Sequence, residues 1–309
     1  MTSEARTSES SRRVTTAIGE PEPTASDRGS ASLELAQQAA HGAAEAAGVS
    51  VRSVGDLAEL KWVARLCAEI WQGGSEPPLT TELLRAFDKA GNYVAGAFDG
   101  PDLVGACVGF FSAPTEHALH SHIAGVAREV RSRNVGFALK LHQRAWAIQR
   151  DVAVIEWTYD PLVARNAHVN ITKLGARPVE YLPNFYGTMH DVINSGEDTD
   201  RLLVHWMLNS PAVAAAATGR SPTRNAVSED ARGAVKALDV NPRGGPAAGR
   251  SGGEVSLVAV PADIEQLRVS DPALAREWRV AVRDSLVGLM AEGGRITGFD
   301  RAGWYVVER

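Results

Sequence analysis

Apolar positions in the middle of the chain alternate between two spacings. Residues 49–54 form a short strand-like run, and Gly55-Asp56 then opens a pattern with Leu57, Leu60, Val63, Leu66, Cys67 and Ile70 three or four apart, which predicts a helix with one buried face. A shorter helix is predicted over 80–90, where Thr81 precedes Glu82 and the apolar Leu83, Leu84 and Phe87. β-rich runs at 93–98 and 103–111 flank Asp99-Gly100-Pro101-Asp102, a turn sequence, and predict an antiparallel hairpin. Residues 119–126 predict another strand, followed after a polar stretch by a helix with Ala138, Leu141, Ala145 and Ile148 on one stripe. The next strand, 152–159, meets Asp160-Pro161, which predicts a helix capped by Asp160, led by Pro161 and stopped by Gly175. Strands near 179–182 and 202–206 complete the order: strand, two helices, three strands, helix, strand, helix, two strands.

Towards the C-terminus, 255–261 predict a strand and 261–264 the start of a short helix. Asp271-Pro272 caps a longer helix with Leu274, Trp278, Val282 and Leu286 at every fourth position, and two strands over 295–299 and 304–307 follow. A piece of fewer than about 60 residues is too small to keep a core alone and is expected to dock on the preceding sheet. The first 30 residues are Ser, Thr, Glu and Arg with scattered Ala and no aromatic, a composition that cannot offset chain entropy by burial. From 31 to 48 the alanines favour a weak helix or a simple tail, so 1–48 is expected to be a disordered tail. Residues 209–253, dominated by Ala, Gly, Ser, Pro and Arg, are expected to form a flexible linker. The 7 tryptophans all lie outside these regions, which puts the packed material at 49–208 and 254–309.

Composition narrows the class. The 309 residues are 44% hydrophobic and 22% charged, near the globular average. A formal charge of −5 provides no global positive field for a polyanion, so no nucleic-acid partner is expected. The 2 cysteines, Cys67 and Cys107, form neither a disulfide framework nor a metal cluster, so no metal is expected and a reducing, cytoplasmic setting fits. No apolar run approaches the roughly 18 residues that span a bilayer, and Arg12-Arg13 lacks the apolar core of an export signal. No membrane association is expected. The oligomeric state stays open, a homodimer included.

The chemically informative junction runs from Val126 to Ala138, a strand, then Arg131-Ser132-Arg133-Asn134-Val135-Gly136-Phe137-Ala138, then a helix. Free N–H groups and the positive dipole end at a helix start suit a diphosphate, and Gly136 lets the backbone approach it. With that junction, the chain over about 49–208 resembles the GNAT superfamily of acyl-CoA-dependent N-acyltransferases. That family's phosphate loop has Arg or Gln, two variable residues, Gly, one variable residue, then Gly or Ala, and Arg131, Asn134 and Gly136 stand at those three places, Asn134 replacing the first glycine. The stretch Arg165-Asn166-Ala167 to Lys173-Leu174-Gly175-Ala176 is similar to its helix ending in Leu-Gly-Phe. A bacterial subgroup with a C-terminal extension resembles the chain further, in Trp157-Thr158-Tyr159-Asp160-Pro161-Leu162 and the Arg-Asn-Ala helix.

The resemblance implies an α/β fold with a mixed, mostly antiparallel sheet flanked by helices, plus a C-terminal α/β extension. It implies acyl-CoA, acetyl-CoA above all, as cosubstrate and a small-molecule primary amine as acceptor. The amides from Arg133 through Asn134, Val135, Gly136 and Phe137 to Ala138 would hold the diphosphate, with Arg131 beside them. The strand at 123–126, ending in Val126, would pair with the pantetheine arm, and Asn166 would lie near the arm or the reacting carbonyl. A splay between the fourth and fifth strands would admit the thioester.

Transfer to an amine requires a base, stabilisation of the developing negative oxygen and release of the thiolate. Glu156, mid-strand between Ile155 and Trp157, is one candidate base; His122 is another, with His120 behind it. The family's acid tyrosine is replaced by Ile171, leaving Tyr159, Tyr181 or Tyr186 as substitutes. N-succinyl transfer to amino acids, or a degenerate module that binds acyl-CoA or a protein without turnover, are the alternative functions.

Overall fold

The computed structural model describes residues 25–71, 77–187, 198–250 and 252–309. The expected disorder of residues 1–24 lies outside them. Helix α1 (Ala25–Ala47) leads into β1 (Ser50–Ser53), α2 (Leu57–Ile70), α3 (Thr81–Lys89), β2 (Tyr93–Asp99), β3 (Asp102–Phe111), β4 (Ala118–Val126), α4 (Val135–Ile148), β5 (Val154–Tyr159), α5 (Ala164–Ala167), β6 (Arg177–Leu182) and β7 (Arg201–Met207). From β1 onward this is the order predicted. The seven strands form one sheet in the order β1-β2-β3-β4-β5-β7-β6, in which only the β4–β5 pair is parallel. Asp56 and Thr80 cap α2 and α3 through their side-chain oxygens. The helix after β5 differs from expectation: it starts at Ala164 rather than Pro161 and continues as a π-helical stretch, His168–Lys173, before Gly175 turns the chain at φ 69°.

Two expectations are corrected. Residues 25–47 are helical because Ala36, Ala40, Ala44 and Ala47 form a stripe of buried small side chains that lets α1 lie close against α4, while Leu35 faces solvent. The stretch read as a linker folds as α6 (Pro211–Ala217), α7 (Ala226–Ala231), β8 (Val235–Val240) and β9 (Pro246–Ala248). With β10 (Val255–Ala259), α8 (Ile264–Ser270), α9 (Pro272–Ala291), β11 (Arg295–Asp300) and β12 (Trp304–Glu308) these strands build a second sheet, β11-β12-β10-β8-β9. β8 is held by parallel ladder bonds to β10 rather than by large side chains, only Leu238 being buried along it.

The two sheets share one apolar cluster, and the second packs on β6 and the π-helical stretch. Trp206 and Trp278 anchor its two sides. Each is fully buried, with its indole N–H donated to a carbonyl: Leu174 at 2.7 Å and Gly244 at 3.1 Å. Among the described residues, no helix is long and apolar enough to cross a membrane, and no group of three or more His, Cys, Asp or Glu is arranged to hold a metal ion.

Candidate active site

Between β4 and α4 the chain passes through a 3-10 segment, Arg128–Arg133, and Asn134 then takes φ 60°. Asparagine enters this left-handed region more readily than most residues, so it turns the chain here without a glycine. The amides of Phe137 and Ala138 donate to the Asn134 carbonyl at 3.0 and 3.2 Å. The helix uses them, which corrects the expectation of a donor run through Ala138. Among the described residues the amides of Asn134, Val135 and Gly136 have no main-chain acceptor, and they sit at the positive end of the α4 dipole. A Cβ on Gly136 would meet only Val126 Cγ2, at 3.6 Å, so the approach is open. Val135 and Ala138 are buried and Phe137 is half-buried.

Arg131 extends into solvent beside this cradle. Arg133 does not. Its guanidinium pairs with Asp99 at 2.6 Å and donates to the Ala47 and Gly48 carbonyls, tying the end of α1 to the β2–β3 hairpin. A cation that no sequence spacing signals is Lys173, whose Nζ donates to Asn134 Oδ1 at 2.8 Å.

In front of the cradle the sheet opens. β4 and β5 pair only at Ala118–Val154, Leu119–Ile155 and His120–Glu156. Beyond that last pair β4 runs on to Val126 and β5 to Tyr159 without joining. A bulge at His122 diverts β4: its register with β3 passes from Val108–Ile123 to Gly109–Ser121, which leaves His122 unmatched. β5 meanwhile stays paired with β7 along its whole length. The β4 edge facing β5 is thus unpaired from Ser121 to Val126, with Ala124 exposed, and an extended arm can join such an edge through main-chain hydrogen bonds.

Glu156 lies at the vertex of this opening, its side chain 25% exposed. Ser112 Oγ donates to its Oε1 at 3.1 Å, His205 Nε2 lies 3.7 Å from Oε2, and His120 Nδ1 lies 4.0 Å from Oε1. β7 brings His205 opposite Glu156, a neighbour that no sequence spacing signals. Burial, His122 and the Lys140 ammonium lower the His120 pKa, against the pull of Glu156; burial likewise lowers that of His122. Both imidazoles are therefore neutral at pH 7 and able to accept protons. His122 opens to solvent and packs at a tilt against Phe110, with ring centres 5.7 Å apart. Phe87, 5.8 Å from Phe110, extends this apolar wall.

Two further candidates lie apart from the vertex. Tyr159 is buried on the opposite face of β5, its hydroxyl 3.3 Å from that of Tyr305, so it anchors the second sheet instead of facing Glu156. Tyr181 is likewise buried, bonded to Asp200. The remaining tyrosine, Tyr186, is on the Glu156 face, its hydroxyl 3.2 Å from Thr158 Oγ1. Asn166 is half-buried, its amide bonded to the Val163 carbonyl. Along the π-helical stretch it is Asn170 that meets β5, accepting from Trp157 Nε1 at 3.3 Å.

No protein-family model matches the sequence, and no curated protein matches it. Among solved structures, the chain is similar to the ribosomal-protein-S18-alanine N-acetyltransferase of Escherichia coli, at 11% identity over 52% of this chain and 94% of that one, TM-score 0.43. It is also similar to yncA of Salmonella typhimurium, solved with its cofactor acetyl-CoA, at 14% identity over 52% and 94%, TM-score 0.44. An acetyltransferase of the GNAT family from Streptococcus pneumoniae matches at 14% identity over 51% and 97%, TM-score 0.42. About half of this chain resembles the GNAT acetyltransferases.

Proposed function

We propose that the chain is an acyl-CoA-dependent N-acyltransferase that moves an acyl group, acetyl first among them, to the primary amine of a small molecule. The observation that carries this reading is the parting of β4 from β5 directly before the open cradle at the start of α4. The amides of Asn134, Val135 and Gly136 would hold the diphosphate of CoA, with Lys173 and Arg131 supplying positive charge. The unpaired β4 edge would align the pantetheine arm and bring the thioester to the vertex, where positioning alone contributes much of the rate.

Glu156 would accept the proton of the incoming ammonium, its carboxylate oriented by Ser112 and flanked by His205 and His120. His122 and His120 offer neutral imidazoles through which that proton reaches solvent. Phe110 and Phe87 line the approach on this face, favouring an acceptor with an apolar or aromatic group. The test is free-thiol release from acetyl-CoA against a panel of primary amines, with release expected only when amine is present. CoA binding without release for any amine would instead support a non-catalytic binding module, the reading favoured by buried Ile171 in place of the family's acid tyrosine.

A further inference from the structure

Lys140 is a buried cation beside the opening. It projects from α4 against the sheet, and its Nζ donates to Ser121 Oγ at 3.0 Å and Gln143 Oε1 at 2.8 Å while lying 3.7 Å from the Trp157 ring centre. Among the described residues no carboxylate pairs with it. A buried ammonium without a counter-ion is costly to keep, and desolvation brings its pKa down to about 8. The groups facing it are the Cys107 thiol from β3, Ser121 from β4, Trp157 from β5, Trp206 from β7 and Gln143 on its own helix; His120 feels its charge from the other face of β4. Tyr93 of β2 is bonded to His142, two residues further along α4.

Its place in the topology gives the cost a purpose. Ser121 and Trp157 are the first residues beyond the last β4–β5 pair, His120–Glu156, so the ammonium floors the vertex from the α4 side. Glu156 and the histidines occupy the other side. Gln143 Nε2 is buried in the same pocket with no partner, a donor without an acceptor.

Resting on the acyltransferase reading above, we infer that Lys140 and Ser121 form the proton relay to the departing thiolate, the task left open by Ile171. As the amine nitrogen bonds to the carbonyl carbon and the C–S bond breaks, the sulfur takes the Ser121 hydroxyl proton. Ser121 is reprotonated by the Lys140 ammonium, which becomes a neutral amine and recovers a proton from solvent. The acceptor gives up two protons, one as the ammonium before attack and one from the nitrogen as the C–N bond forms; both leave through Glu156 to solvent, Lys140 takes one back, and the net release of one proton balances products and charge. A donor near 8 is well matched to a thiol of ordinary acidity, about 8.5. Ser121 is the group that would touch the sulfur; Lys140 acts through it.

The test compares the parent, K140M, S121A and Y186F in thiol release across pH 6–10. For the parent, kcat should fall as pH rises above about 8, where Lys140 loses its proton. K140M and S121A should lose about 10²-fold in kcat; K140M should also lose the alkaline limb and recover part of its deficit with an acyl donor whose thiol is more acidic than CoA. K140M removes a costly buried charge but leaves Ser121 and Gln143 without their buried donor, so its melting temperature is followed beside its kcat. Y186F, on the Glu156 face, should keep the alkaline limb. Parent-like turnover and pH profile in both K140M and S121A, or loss of the alkaline limb in Y186F, would overturn the relay alone. If K140M fails to fold, S121A decides: an undiminished kcat overturns the relay. Absence of thiol release from the parent with every amine would overturn the transferase reading together with it.

Discussion

Glu156 and Asp160 lie four residues apart and are treated in opposite ways. Asp160 is buried and saturated. Arg268 reaches it at 2.6 Å, Arg279 at 2.7 and 2.8 Å, and the Leu162 amide at 2.9 Å. Burial alone would raise its pKa, but the two guanidiniums outweigh that and hold it well below the usual carboxylate value. Glu156 keeps a quarter of its surface in water, one hydrogen bond and two looser histidine neighbours. A carboxylate with every acceptor position filled holds elements together; one with lone pairs to spare can take a proton from something that arrives. The first locks the second sheet onto β5, and the second waits at the mouth of the opening.

The largest effect that would sharpen this contrast is on stability. D160N should cost about 3–5 kcal/mol, since it confronts two buried guanidiniums with an uncharged amide, as read from urea denaturation midpoints. E156Q should shift that midpoint by less than about 1 kcal/mol while lowering thiol release about 10²-fold. If the two variants traded phenotypes, the contrast would be wrong. A40L, which crowds the alanine stripe of α1 against α4, should cost about 1–3 kcal/mol by the same denaturation. The pH dependence follows Asp160: with a folded pKa below the ordinary aspartate value of 3.8, its contribution is present above 3.8 and is lost as pH falls from there through the folded value. Melting temperature followed down from pH 5 should show this loss in the parent and much less of it in D160N. The smallest change belongs to R165A. Its exposed pair with Glu265 also bridges the two units, yet it should shift stability by no more than about 0.5 kcal/mol.

How much of this was legible depended on what held each element. The hairpin at Asp99-Gly100-Pro101-Asp102, the helix at Pro272 and the loop through Asn134 and Gly136 carry local turn and cap chemistry, so their sequence states them. α1 is held by four alanines whose small size is the point, and hydrophobicity undervalues them. β8 is held by its ladder to β10, which no composition reveals. Within the site, Glu156 and His122 were readable as residue types on strands, but His205, Ser112 and Lys173 come from separate segments and meet the site only through pairing and packing. The Tyr159 and Arg133 side chains turn away from the site for the same reason: Tyr305 and Asp99, distant in the chain, engage them first.

The account stands or falls on the cradle before α4. Calorimetric titration of acetyl-CoA into the parent and into G136E, with melting temperatures alongside, tests it most directly. Binding by the parent, weakened at least about 10-fold by a carboxylate set against the diphosphate with the fold unchanged, is the predicted result; equal affinity in the two proteins, or no binding by the parent, would contradict it.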